Sequence, residues 1–226
     1  MQTQTILFDI NETVLELSSL KTEFTTVFGS EEALSLWFAR LLHTSNVCIV
    51  TGVTSDFATL ASSMIDNLAT HYKVGVSDEQ RSLLLQGFAS LQPYPDIKPA
   101  LTKLRQNGFR TIAFSNSSQL LIERQIEQAG LLEHFDEIVS VEPTGSFKPD
   151  HKVYHFVANQ LQSSPQQLLL VATHDWDTHG AMSCGFNAAF IERSNAFYNP
   201  LYRQPDVRGK DMHEVVNGII RLGLQS

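Results

Sequence analysis

Cysteine is nearly absent: Cys48 and Cys184 are the only two in 226 residues, far apart and without C-x-x-C spacing. Neither a disulfide framework nor a thiolate zinc site is indicated, and two reduced thiols in a cytoplasmic protein are expected. Basic residues are also in the minority, 16 Lys and Arg against 24 Asp and Glu, which leaves a formal charge of −8. General nucleic-acid binders gain affinity by neutralising phosphates with clustered cations, so that class is disfavoured while a local basic pocket is not. No basic segment precedes an apolar stretch at the start, and no apolar run reads as long enough to span a bilayer. A soluble intracellular protein without membrane or nucleic-acid partners is expected. Internal repeats and low-complexity tracts are lacking as well.

Hydrophobic residues make up 42% of the chain, enough over this length to bury a sizeable core, either as one large domain or as a domain with an insert. The opening "ILFDINETVL" places the continuous apolar run Ile6, Leu7, Phe8 before Asp9, the pattern of a buried parallel strand with a carboxylate at its carboxyl end. Strand signals then stop for about eighty residues. "EEALSLWFARLL" behind Ser30, "DFATLASSMIDNLATHY" behind Ser55 and "DEQRSLLLQGFASL" behind Ser77 read as amphipathic helices with serine N-caps.

"QPYPDIKPAL" breaks that pattern with three prolines. From there strands ("RTIAFSN", "EIVSV", "QLLLVAT", "NAAFIE") alternate with helices of about ten residues. Such alternation implies right-handed crossovers and a parallel sheet covered on both faces. The fold class is therefore α/β: a Rossmann-like parallel-sheet core over residues 1–14 and 96–226, with an all-helical cap over 15–95. Ligands of such sheets sit outside the carboxyl ends of the strands. That rule gathers Asp9, Ser115, Asn116, the loop before Lys148 and "VATHDWD" at one site.

In this order, "FDINETVL", "FSNSS", "SFKPDHKVY" and "VATHDWDTHGA" resemble the motifs of the haloacid dehalogenase superfamily, and more narrowly its L-2-haloacid dehalogenase branch. The resemblance spans nearly the whole chain and implies a hydrolase acting on carbon-halide bonds. Asp9 would be the nucleophile, Thr13 would fix its loop, Lys148 would keep it ionised, and Asp177 is the acidic motif's aspartate. Ser115 and Asn116 would hold the substrate carboxylate, Arg40 would receive the halide, and Phe57 and Trp176 would wall in a small haloalkanoate. Tyr154 is a further candidate on the substrate side. The cap helices offer a surface for a homodimer.

Two departures bear on the chemistry. Phosphatases of this build carry a second carboxyl two residues after the nucleophile, whereas this chain has Asn11, which cannot release a proton at neutral pH. A leaving oxygen is strongly basic and gains from a positioned acid; a halide is a weak base and needs only to be solvated. The strand before "DWD" ends in Val171, Ala172 and Thr173 where a phosphatase usually has a magnesium-binding aspartate, so no metal and no cofactor is expected.

The expected reaction is thus hydrolysis of short L-2-haloalkanoic acids through an ester on Asp9. His174 stands where the branch commonly has asparagine, and Glu12 where it commonly has glycine. A Glu12 and His174 pair is expected to activate the hydrolytic water, with Asp175 and His179 also near in sequence. A magnesium-dependent phosphatase of small metabolites and a non-catalytic binding relative are the rival readings.

Overall fold

The computed structural model describes residues 5–193 and 197–223. Six parallel strands form one sheet in the order β5, β4, β1, β6, β7, β8. They are β1 (Thr5–Phe8), β4 (Arg110–Ser115), β5 (Glu137–Ser140), β6 (Leu168–Ala172), β7 (Asn187–Ile191) and β8 (Val207–Gly209). The alternation read from the sequence holds for the first five of these; β8 is an addition that the pattern did not signal. β1 and β6 are buried along their whole length, which accounts for their unbroken apolar runs.

Helices α5 (Ile97–Gln106), α6 (Gln119–Gln128), α7 (His151–Gln160) and α8 (Asp175–Ser183) connect successive strands, and α9 (Met212–Gly223) closes the chain. Right-handed crossovers put α5 and α6 on one face of the sheet and α7 and α8 on the other. The chain leaves β1 towards β4 and later crosses to β6 on the opposite side, so its direction reverses at the carboxyl end of β1. Phe8 is in register with Ala113 on one neighbour and Val171 on the other. The residues following all three strands consequently emerge together.

Between β1 and α5 lie α1 (Lys21–Phe28), α2 (Ala33–Thr51), α3 (Phe57–Tyr72) and α4 (Asp78–Phe88). Their shared core is aromatic: the Trp37 ring sits 5.1 Å from Phe24 and 5.3 Å from Phe88, and its indole N–H donates to Ala61 O. Ser77 caps α4 through a full capping box with Gln80, as expected. The other two serine caps are corrected. Asp56, not Ser55, accepts the Thr59 N–H at the start of α3, and α2 begins at Ala33 without a side-chain cap.

The segment is not wholly helical either, because β2 (Leu15–Glu16) and β3 (Gln92–Pro93) pair antiparallel where the chain enters and leaves it. Nor is the chain free of a long apolar helix. By length and composition α2 suffices to cross a membrane; in this fold it turns Trp37, Phe38 and Leu41 into the hydrophobic core.

Candidate active site

The tight turn after β1 organises the site. Val14 N and Leu15 N both donate to Ile10 O, and Glu12 N donates to Leu15 O, which bends residues 10–15 back on themselves. The bend holds Glu12 at φ 65°, in the left-handed region. A side chain with a Cβ sits there at a cost of about 1 kcal/mol or more. Asp9, just before the turn, is only 7% exposed.

Three donors meet the Asp9 carboxylate. Thr13 Oγ1 donates to Oδ2 at 2.9 Å, His174 Nδ1 lies 3.2 Å from the same oxygen, and Lys148 Nζ donates to Oδ1 at 3.2 Å. Thr13 in turn accepts from Thr173 N at 3.0 Å, joining the turn to the end of β6. Burial pushes the Asp9 carboxyl up, but the Lys148 ammonium, the His174 contact and the Thr13 hydroxyl outweigh it and bring the pKa down to about 2. Asp9 is therefore a carboxylate across the physiological range.

Lys148 is buried between two acids. Besides Asp9 it donates to Asp177 Oδ2 at 2.9 Å and to Phe114 O at 2.8 Å, with Nζ 4.4 Å from the centre of the Phe114 ring. Burial alone would lower its pKa; the charges of Asp177 and Asp9 more than compensate and raise it. Tyr154 stands beneath, donating to Asp177 Oδ1 at 2.6 Å. It is wholly buried, and the hydrogen bonds recorded for its phenol go to Asp177. Gly180 makes that approach possible: a Cβ there would stand 2.7 Å from the tyrosine hydroxyl and 2.8 Å from Pro149 Cβ.

His174, N-terminal to α8, bridges two carboxylates, with Nε2 2.9 Å from Glu12 Oε2 on the side away from Asp9. Burial would lower its pKa, but the contacts with Asp9 and Glu12 and their charges raise it to about 10. The resting side chain is an imidazolium. Its ring is stacked on Trp176, centroids 5.0 Å apart, and Phe38 of α2 covers it at 6.3 Å.

Phe38 is thus the α2 residue turned towards the site. Arg40, two positions on and about 200° round the helix, donates to Asn67 Oδ1, lies 3.4 Å from His71 Nδ1, and lines a depression between α2 and α3 with His43 and Met64. The hydrogen bonds recorded for the Arg40 side chain thus go to α3, and among the described residues none goes to Asp9, Lys148, Asp177 or His174.

The remaining candidates have definite places. Asn116 Oδ1 accepts from Lys148 N at 2.9 Å, and Ser115 Oγ accepts from Ser117 N at 3.1 Å. Phe57 packs on Phe147, ring centres 6.0 Å apart; together with Asn116 and Ser118 they line a cleft of about 330 Å³ between α3 and the core. Asp175 accepts from Asn199 N, while His179 accepts from Arg203 N and stacks on Tyr202. Both are engaged away from Asp9.

Asn11 is held by residues that sequence reading passed over. Its Nδ2 donates to Ser117 Oγ at 3.4 Å and its Oδ1 accepts from Gln125 Nε2 at 3.2 Å. Arg193 was also missed. It pairs with both oxygens of Asp96 at 2.8 and 2.9 Å and donates to Thr13 O at 3.4 Å, behind the turn. Phe38 had a signal only as one apolar position of a helix stripe; Gln125 and Arg193 had none.

The chain is similar to known proteins. The curated (S)-2-haloacid dehalogenase 1 of Pseudomonas sp. (strain CBS-3) is 29% identical over 191 residues, 84% of each chain. The (S)-2-haloacid dehalogenase of Pseudomonas putida is 26% identical over 219 residues, 96% of each. Among solved structures, L-2-haloacid dehalogenase from Xanthobacter autotrophicus with chloropropionic acid covalently bound superposes with a TM-score of 0.89 over 99% of both chains at 19% identity. The model of the haloacid dehalogenase-like hydrolases matches residues 3–177, from the approach to β1 through Asp177. With a match over most of its length, this chain belongs to the haloacid dehalogenase-like hydrolase family.

Proposed function

We propose that this protein is an (S)-2-haloacid dehalogenase, hydrolysing short L-2-haloalkanoic acids to 2-hydroxy acids and halide. One observation carries the reading. Two residues after the ionised Asp9, where a phosphatase needs an acid, stands the amide of Asn11, bonded to Ser117 and Gln125. Asn11 cannot give an expelled alkoxide its proton as that acid would, whereas expelling a halide needs none. The dehalogenase names of the relatives, and the covalently bound chloropropionic acid in the Xanthobacter autotrophicus structure, support the same conclusion.

In this proposal Asp9 Oδ1, which has one donor against two on Oδ2, attacks the halogen-bearing carbon. The carbon-halogen bond breaks, the halide leaves with the electron pair, and an ester forms on Asp9. Lys148, Thr13 and Asp177 hold the nucleophile charged and oriented. Asn116, whose Oδ1 is taken by Lys148 N, keeps its amide N–H groups for the substrate carboxylate, with Ser115 shaping that turn. Phe57, Phe38 and Trp176 wall the site, and residues 15–95 act as the cap that excludes water.

Hydrolysis of the ester falls to His174 and Glu12. While Asp9 is a carboxylate, His174 is kept protonated by two acids. Esterification removes the charge of one of them, so the imidazolium becomes more acidic and gives its proton to solvent. The neutral ring then takes a proton from water as the water attacks the ester carbonyl. The bond from that carbonyl carbon to the substrate oxygen breaks, His174 returns the proton to that oxygen, and the Asp9 carboxylic acid so formed passes its proton to the neutral ring, regenerating the carboxylate and the imidazolium.

The donor set fits magnesium poorly. Asp9 and Asp177 both engage the Lys148 ammonium and the strand end nearby is Thr173, so no step is routed through a metal. Two buried free thiols agree with a cytoplasmic location. A homodimer remains part of the proposal, with sedimentation as its check. The main test is halide release from L- and D-2-chloropropionate in the presence of a chelator, with Asp9→Ala as control. Release from the L isomer alone is expected; magnesium-dependent phosphate release from simple esters, with no halide release, would replace this reading by the phosphatase one.

A further inference from the structure

Gln125 lies on α6, wholly buried, outside every motif of the family resemblance. Its Nε2 donates to Asn11 Oδ1 at 3.2 Å and to Phe88 O at 2.9 Å, while its Oε1 accepts from Ser117 Oγ at 3.4 Å. Asn11 Nδ2 donates to that same serine oxygen at 3.4 Å. The three side chains close a ring in which every hydrogen bond runs in one direction, from Asn11 to Ser117 to Gln125 and back to Asn11. Turning the Asn11 amide over would set its N–H groups against those of Gln125, so the ring admits one orientation. In a buried site a misplaced amide loses the full strength of its hydrogen bonds.

The fourth contact leads elsewhere. Phe88 is the last residue of α4, and its carbonyl accepts from Gln125, which sits on the core. One amide group therefore holds both Asn11 and the end of the helical insert. We propose that Gln125 is a positioning residue for the reaction: it acts through Asn11, fixing the orientation of the amide two residues after Asp9, and ties that orientation to the seating of α4. The proposal rests on the dehalogenase reading for its substrate, but the geometric claim stands apart from it.

A double-mutant cycle tests it. Halide release is measured for wild type, Asn11→Ala, Gln125→Met and the double variant, with phosphate release from p-nitrophenyl phosphate and magnesium used instead if the wild type prefers that substrate. Gln125→Met is expected to lower kcat/KM by about tenfold with Asn11 present and by less than about twofold in the Asn11→Ala background. An equal loss in both backgrounds would mean that Gln125 acts by packing alone, and would overturn the proposal. Should Gln125→Met fail to fold, Ser117→Ala breaks the same ring and must give the same non-additivity. A readout without substrate separates this claim from the functional one. The Asn11 side-chain amide protons, assigned in ¹⁵N-labelled protein by their disappearance in Asn11→Ala, should shift and exchange faster in Gln125→Met or Ser117→Ala. An unchanged signal overturns the proposal even if haloacids are turned over.

Discussion

Glu12 Oε2 lies 2.9 Å from His174 Nε2 although the two residues are 162 positions apart. The contact requires the turn after β1 and the loop after β6 to emerge side by side, which the pairing of Phe8 with Val171 provides. It also requires Glu12 to stay in the left-handed region, a local strain held in place by the surrounding turn.

Replacing His174 by Ala should separate the two halves of the reaction. The Asp9 ester should form and accumulate, visible as a mass increase on the peptide containing Asp9, while steady turnover falls by roughly a hundredfold or more. Normal turnover with no trapped ester would remove His174 from the water path.

Glu12→Gly tests the partner without disturbing the turn, since glycine takes a positive φ without steric cost. Ester hydrolysis should slow by about tenfold, with ester formation and folding nearly unaffected. Single-turnover measurements of the two steps would settle it; equal slowing of both would point to damage at Asp9 instead.

The paired charges also make stability depend on pH. His174 has its pKa raised from 6.5 to about 10 in the folded protein, so its contribution is complete below pH 6.5 and is lost as pH rises towards 10. Asp9 is shifted the other way, from 3.8 to about 2, so its contribution is present above pH 3.8 and is lost as pH falls towards 2. The Tm difference between wild type and His174→Gln should therefore shrink between pH 6.5 and 10. A constant difference over that range would contradict the assigned imidazolium.

Lys148→Met leaves Asp9 and Asp177 buried without their cation. Breaking such a pair on one side destabilises by about 3 kcal/mol or more. Urea unfolding should report a loss of that order, and the folded fraction should form no ester, because the Asp9 carboxyl then loses its main charge partner.

Phe38 and Arg40 give opposite expectations from neighbouring positions. Phe38→Ala uncovers the His174 ring and should raise KM for 2-chloropropionate several-fold, whereas Arg40→Ala should change kcat/KM by less than about threefold. A large loss in the arginine variant, measured as halide release, would restore the halide-binding role that the resemblance suggested.

Much of this protein is local and was readable in the chain. The apolar run Ile6 to Phe8 reads as a strand buried on both faces, which sets Asp9 at its end. Helical segments declare themselves by a periodicity of 3.6 residues and the buried strands by short unbroken apolar runs, and the order of four short motifs led to the family. What the tertiary structure decided were pairings between distant residues and the choice of helix face. An apolar stripe containing Trp37 and Phe38 predicts burial without saying which ring meets His174, and the position of Arg40 on α2 does not reveal that its guanidinium turns to Asn67. The Asn11, Ser117 and Gln125 ring joins positions more than a hundred residues apart. Its hydrogen bonds exist because strand register and the seating of α4 bring three polar side chains into one buried space, where each must find a partner, and no local pattern encodes that meeting.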